Sequence, residues 1–580
     1  MKFNGVSATT SAATANELTT TVPAGATTGP VSVTVGTATA ASAVDFLVDA
    51  AAFAPTITSV APTLAAVGDQ VIVVGTHLVP VEGQTSSLLN GRAVSASSSS
   101  NTQIVFPVPP NVGSGRVTVI TPYGSATSSQ DLTVVPVGVG TADIESSKRL
   151  IPGAAAQSLT LTLSTPGKAV AVLYDASVAD LISLQFGSLG ALTLSYTVYD
   201  STNASVSAGS VSADSPTVHL PKARANGTYM VLLRPSSAPA TWKLAVEKAT
   251  SLSANGSTIS QTLTGSAQSK RISFVATAGQ NLGLALSDLV TPNSTGGVYL
   301  TIYDPDGIYV AYQYCYASNN GCQANFVNAR AGTYSVVINA PYGGDQTMSF
   351  KSTLSTDVTG TLKADTAQTL TLGRRGQNGR LAFAGTAGQT VALQVAGQTT
   401  VPSSRMTYYT VYAPDGSTLG STTATSAATL NLPNLPATGT YTVFVDPSNG
   451  ETLSAQLTLA TGTAGGQTTN GASGSYATTV PGQNVYLTFK AAAGQNVGLA
   501  LSDLVTPNST NYVYLTVYKP DGSYAASQYC YASNNGCQTN LGNTMAGTYS
   551  VVVNAPYDGD QTMSFKATVS SDVTGRDATG

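Results

Sequence analysis

Apolar residues in this chain alternate with polar ones far more often than they recur at every third or fourth position. Val31-Ser32-Val33-Thr34-Val35 and Val117-Thr118-Val119 put their valines on one side of an extended backbone and their hydroxyls on the other, the mark of a half-buried strand. Gly, Pro, Asn and Asp interrupt such runs at short intervals, as tight turns between antiparallel strands require. Stripes of period 3.6 are nearly absent. The pattern predicts an all-β protein built of tandem β-sandwich domains.

From about residue 140 the pattern repeats. Gly-Thr-Tyr followed by an apolar strand recurs at Gly227, Gly332, Gly439 and Gly547, at intervals of 105, 107 and 108 residues. A fixed period of that size means tandem domains. Each Gly-Thr-Tyr follows a Tyr-turn element: Tyr199-Asp200, Tyr303-Asp304-Pro305-Asp306-Gly307, Tyr412-Ala413-Pro414-Asp415-Gly416 and Tyr518-Lys519-Pro520-Asp521-Gly522. The second and fourth repeats are near copies: 279–360 matches 494–575 at about four positions in five, offset by 215 residues. Duplication of a two-domain block accounts for this.

Composition narrows the function classes. The 580 residues imply several domains. Charged residues are 9% of the chain, against about 25% in an average soluble protein, which excludes a charged disordered tail and a coiled coil. With a net charge of −4 there is no basic surface to neutralise phosphates, so nucleic acid is not an expected partner. Met1 to Ala13 lack the regions of a signal peptide, and no apolar stretch approaches the roughly 20 residues of a membrane span.

The four cysteines lie in two Cys-Tyr-Ala-Ser-Asn-Asn-Gly-Cys segments, Cys315 to Cys322 and Cys530 to Cys537. Asn-Asn-Gly favours a tight turn, and a hairpin there would bring the two sulfurs of each segment together. Zinc would need thiolates from both segments, about two domains apart. Local disulfides are the expectation, and they imply an oxidising, extracellular or cell-surface location.

Two resemblances extend this reading. Residues 53–136 carry Pro55-Thr56-Ile57, Val67-Gly68-Asp69-Gln70-Val71-Ile72-Val73-Val74-Gly75-Thr76, Leu89-Asn90-Gly91, a Pro-rich Phe106–Pro110 and Gly115-Arg116-Val117-Thr118-Val119. This resembles the IPT/TIG family of immunoglobulin-like sandwiches, with Leu78 and Leu89 where the family has aromatics. Residues 1–50 carry the second half of the same pattern in Phe3-Asn4-Gly5, Val22-Pro23-Ala24-Gly25 and Gly29-Pro30-Val31, so the chain is expected to begin inside such a domain. The four repeats, 140–250, 251–360, 361–465 and 466–575, resemble the bacterial pre-peptidase C-terminal (PPC) module through their Ala-Gly-Gln, Tyr-x-Pro-Asp-Gly and Ala-Gly-Thr-Tyr elements. Together they look like the N-terminal region of large bacterial secreted Rhs/YD-repeat or adhesin-type proteins. The YD repeat itself is absent from this sequence.

Candidate chemistry is sparse. His77 and His219 fall in different domains, and neither sits in a nucleophile–base arrangement. Asp304 and Asp306 are the obvious acid pair, but the matching positions are Lys519 and Asp521; turn formation, calcium and catalysis are three readings of it. Asp558-Gly559-Asp560 likewise reads Gly343-Gly344-Asp345 in the other copy. The sequons at Asn293 and Asn508 are what Ser/Thr-rich sequence yields by chance. The cysteine segments offer more. Tyr312, Tyr314 and Tyr316 share one strand face and Cys315 the other; the copy keeps Tyr529 and Tyr531 but has Ser527. Such a tyrosine stripe beside Asn319 and Asn320 can hold a sugar, or can be a cross-strand ladder pinned by the disulfide. The sequence therefore predicts a non-enzymatic extracellular stalk or adhesive segment of a larger bacterial surface or secreted protein, with no cofactor or metal. A glycan-binding array using Tyr314, Tyr316, Tyr529 and Tyr531 is the alternative. Expected partners are a surface glycan or protein receptor and the rest of a longer chain.

Overall fold

The computed structural model describes residues 1–573 apart from 49, 154–157, 265–266, 293–296, 340–346, 433–434, 462, 480–481, 509 and 557–560. Asn293, Asp345, Asp558 and Asp560 lie outside the described residues. Regular structure is all-β, with only short 3-10 turns besides the strands. Among the described residues no helix is long and apolar enough to cross a membrane.

Residues 2–41 form a four-stranded sheet and a two-stranded ribbon. Little of this segment is covered: Phe3 and Ala26 are buried, while Val35, Val44 and Leu47 face solvent. Residues 56–134 form a five-stranded and a four-stranded sheet around a shared core. Gln70–Thr76 alternates strictly between exposed and buried positions. Leu78 and Leu89 join Phe106 in that core as fully buried side chains, so the apolar character of those two sites is what packing uses.

The next unit, 144–248, shows the plan of the repeats. One sheet runs Ile144–Arg149, Ala169–Ala176, Gly227–Pro235, Leu194–Tyr199, Ser205–Val211. The other runs Thr217–His219, Ile182–Gly187, Ala240–Lys248, Ser158–Leu163. Val172, Val198 and Val231 of the first meet Leu161, Leu184 and Trp242 of the second in one core. The first strand pairs parallel to its neighbour and Gly153 makes a parallel bridge to Glu247, while the other strand pairings are antiparallel. Unit 358–461 repeats this five-plus-four arrangement.

Units 250–356 and 463–571 keep the strand order but differ at one place. Each is a single nine-stranded sheet, because the fifth and sixth strands touch. In the first copy these are Tyr309–Tyr316 and Gly321–Ala329, which meet only at Tyr316 opposite Gly321. In the second, Tyr524–Tyr531 and Gly536–Leu541 meet only at Tyr531 opposite Gly536. The hairpin expected from the sequence is therefore a bridge. The two strands diverge at once, one to pair with Gly297–Tyr303 and the other with Gln280–Val290.

Candidate tyrosine faces at the cysteine turns

Each cysteine segment is folded by its own residues. A short 3-10 turn spans Ala317–Asn319, and Asn320 closes it in the left-handed conformation at φ 63°, which Asn tolerates better than most residues. Gly321 follows at φ 131°; a Cβ there would lie 1.9 Å from the Leu286 carbonyl oxygen, so only glycine fits. Cys315 is bonded to Cys322, and Cys530 to Cys537. The first pair is buried in the core of its unit, at the point where the chain passes from the strand paired with Gly297–Tyr303 to the strand paired with Gln280–Val290.

Burying Cys315 turns its neighbours outward. Tyr312, Tyr314 and Tyr316 are 58%, 53% and 45% exposed. Cross-strand register adds a fourth ring, Tyr299, directly opposite Tyr314. Centroids are 5.3 Å apart for Tyr312–Tyr314, 6.4 Å for Tyr314–Tyr316 and 6.3 Å for Tyr299–Tyr314. Tyr316 lies over Gly297, whose missing side chain leaves room for the ring. The second copy builds the same surface differently. Tyr512 stands at the site of Gly297, and Tyr512, Tyr514, Tyr529 and Tyr531 cluster with centroids 4.8–5.4 Å apart. Ser527 there accepts or donates a 2.8 Å bond with the Tyr524 hydroxyl. Tyr299, Tyr512 and Tyr514 were not singled out in the sequence; their alternation in Val298-Tyr299-Leu300 and Tyr512-Val513-Tyr514 was visible, but their register with the cysteine strand was not.

Polar groups hold each cysteine turn. Asn320 Nδ2 donates to Asp288 Oδ1 at 3.3 Å, and Lys351 Nζ pairs with Asp288 Oδ2 at 2.8 Å. The Lys351 ammonium, then the Asn320 amide, hold the Asp288 carboxyl below its usual range. Asp503 and Lys566 repeat this ion pair at 2.9 Å. Asn319 ends the turn, and Asn320 is committed to Asp288.

The other candidates resolve into structural roles. Asp304 and Asp306 each bind Arg330, at 2.8 Å to its two terminal nitrogens. Asp304 Oδ1 also accepts from the backbone N–H of Asp306 and Ile308. In the other copy Lys519 replaces Asp304 and Met545 replaces Arg330, so both partners change together. His77 ends the strand Gln70–Thr76 at φ 53°, its ring edge-on to Phe53 at 5.9 Å. His219 is held between Ser183 Oγ and Ser269 Oγ, 2.8 Å from each. Desolvation, then the charges of Arg271 and Lys270, push its pKa down to about 3. It is a neutral pin between units 144–248 and 250–356. Asn431 and Asn484 hold the equivalent positions in the next pair of units, bonded at 2.7 Å. Among the described residues no three His, Cys, Asp or Glu side chains converge as a metal-ligand set.

No family model and no curated protein sequence matches the chain. Among solved structures it is similar to SGBP-B of a Bacteroides ovatus mixed-linkage glucan utilization locus, determined with a mixed-linkage heptasaccharide. That likeness is 12% identical at TM-score 0.12 and covers 50% of this chain and 74% of that one. It is similar also to SGBP-B of a Bacteroides uniformis complex xyloglucan locus, at 12% identity and TM-score 0.14, covering 58% and 82%. An auxiliary nutrient binding protein from Bacteroides thetaiotaomicron aligns over 19% of this chain at 8% identity and TM-score 0.13, and the alignment spans 23% of that protein. Likenesses of this size carry no functional argument. The two disulfides place the protein in an oxidising, extracytoplasmic setting.

Proposed function

We propose that the protein is a non-enzymatic extracellular array of glycan-binding modules, gripping sugar rings on the tyrosine faces of units 250–356 and 463–571. One observation carries this reading: two open aromatic surfaces, each of four tyrosines, built twice at the same disulfide-joined bridge. Tyr314 and Tyr529 leave about half their surface to solvent, where a ligand can reach it. Tyrosine offers a flat apolar face and a hydroxyl at low entropic cost on binding, which suits the apolar face and hydroxyl rim of a pyranose.

The array fits the architecture expected from the sequence: an IPT/TIG-like half-module at 1–50, an IPT/TIG-like sandwich at 53–136, and PPC-like sandwiches at 140–250, 251–360, 361–465 and 466–575. It would form part of a larger bacterial surface or secreted protein of adhesin or Rhs/YD type. The stalk reading remains the second one, favoured by the low charge content and the string of self-contained cores.

The test is a glycan array probed with the parent chain and with the Tyr314→Ala/Tyr529→Ala variant. Glycan binding that falls by about tenfold or more, or about 1.4 kcal/mol, supports the array. No binding by either protein leaves the stalk, and equal binding by both moves the site elsewhere.

A further inference from the structure

Units 250–356 and 358–461 are joined by a single residue, Asp357, and are packed face to end. The receiving face is the outer side of Gln280–Val290, Gly321–Ala329 and Met348–Thr356. Onto it come the 373–378 loop and the 447–451 turn of the following unit. Gln323 Nε2 donates to Asn378 Oδ1 at 2.6 Å, and Asn378 Nδ2 donates to Asn325 Oδ1 at 2.9 Å. Ser355 Oγ donates to the Arg375 carbonyl at 2.8 Å, and Asn325 Nδ2 to Asp446 Oδ2 at 3.2 Å. Asp357 is covered by Arg380, whose Nε lies 2.6 Å from its carboxylate. The loop backbone lies so close that a Cβ on Gly283 would be 1.9 Å from the Gly376 carbonyl oxygen. As a result Ser355 is fully buried and Gln323 nearly so.

The same face exists a second time. Offset by 215 residues, Gly283, Ala285, Gln323, Asn325, Ser355 and Asp357 become Gly498, Ala500, Gln538, Asn540, Ser570 and Asp572, each an identical residue. Here Gln538, Ser570 and Asp572 are exposed and Ala500 is only half-buried. Gln538 Nε2 donates to Asn540 Oδ1 at 2.8 Å, the bond that Gln323 Nε2 makes to Asn325 Oδ1 at 2.5 Å, without the second acceptor that Asn378 supplies to Gln323. Gly498 has no local need of glycine: its φ is ordinary, and a Cβ there would meet nothing nearer than the Gln538 and Asn540 side-chain ends at 3.2 and 3.3 Å. The strand register around it matches, with Gly498 opposite Asn540 and Ser570 as Gly283 is opposite Asn325 and Ser355.

We infer that the outer face of Gly498, Ala500, Gln538, Asn540 and Ser570 is a docking site for a module of the 358–461 kind, attached directly behind Asp572. Such a module presents an arginine–glycine loop whose bare backbone fits over Gly498, an asparagine amide that bonds Gln538 and Asn540, and an arginine that covers Asp572. This is the seat that unit 358–461 takes on its own predecessor. It is independent of the tyrosine faces and of glycan binding.

The experiment reads protection of one thiol. Ser570→Cys is introduced into the full chain and its maleimide labelling rate is measured alone and after residues 358–573 are joined directly behind Asp572, as Val358 follows Asp357. Docking is expected to slow labelling about tenfold or more, and Gly498→Arg in the extended chain to restore the fast rate. An extension of 358–465 alone is run alongside, so that a misfolded longer extension does not decide the result; slowing in either supports the proposal. Labelling that stays fast in both extensions overturns it. Protection that grows with concentration in the unextended chain also overturns it, assigning the face to self-association.

Discussion

At the scale of single residues, His219 makes a pH-dependent contribution whose sign is fixed by its surroundings. Its ring is buried between two serine hydroxyls, with Arg271 and Lys270 facing it and Glu247 committed to Lys270 at 2.8 Å. The folded ring stays neutral to about pH 3, while an unfolded histidine takes its proton near pH 6.5. Between those values the unfolded chain binds more protons, so stability present above pH 6.5 is lost as the pH falls toward 3. From pH 7 to 4.5 the loss is about 2.5 kcal/mol. The only tryptophan, Trp242, is fully buried in the same unit, and its fluorescence reports this unfolding locally. The urea midpoint seen by Trp242 should drop between pH 7 and 4.5, and His219→Asn, the residue found at 431, should flatten that drop. An equal drop in the variant would assign the acid sensitivity to other groups. None of this was legible in the sequence, because Ser183 and Ser269 reach His219 from strands and units far along the chain.

Among elements, the cysteine bridge is the one that distinguishes two otherwise matching plans. Alternation around Cys315 and the Asn-Asn-Gly turn were legible from local spacing. That the two strands part after one residue pair was not, since it depends on which neighbouring strand each one pairs with. The linkage spans a sequence separation of 7, for which loop closure alone predicts about 2–3 kcal/mol. It also ties the fifth strand to the sixth at their single meeting point. Replacing Cys315 and Cys322 together by alanine should lower the melting temperature of unit 250–356 by about 10 °C and weaken binding at its tyrosine face more than at the other. Calorimetry and glycan titration check both. An unchanged transition would mean that the flanking strands hold the bridge without sulfur. The turn at Asp304 teaches a similar lesson: its Pro-Asp-Gly was readable, but Arg330, which neutralises both carboxylates, comes from 24 to 26 residues away.

For the molecule as a whole, the alternation of apolar and polar residues delivered the all-β class. The contacts between neighbours were beyond it, because they are made by isolated polar residues such as Gln185, whose Nε2 donates to the Ser269 carbonyl at 2.7 Å, and Asn90, whose Oδ1 accepts from Thr228 N–H at 2.8 Å. No local pattern marks such residues. Together with one-residue links at Ala249 and Asp357, these contacts limit how far adjacent units swing.

The duplication that produced two tyrosine faces also fixes how a polymer would be held. Once one face has captured a stretch of a long polysaccharide, the other meets the same chain at high effective concentration, and the second capture costs no further diffusional search. Avidity of this kind is worth about 10²–10⁴ over a single contact when the spacing can be spanned. A long glycan should therefore bind about a hundredfold or more tightly than a short oligomer of the same sugar, and Tyr529→Ala alone should erase most of that difference while leaving the oligomer's affinity for the remaining face intact, as paired titrations would read out. Weak, individually reversible grips summed along a polymer would let the protein hold a surface firmly and still slide across it.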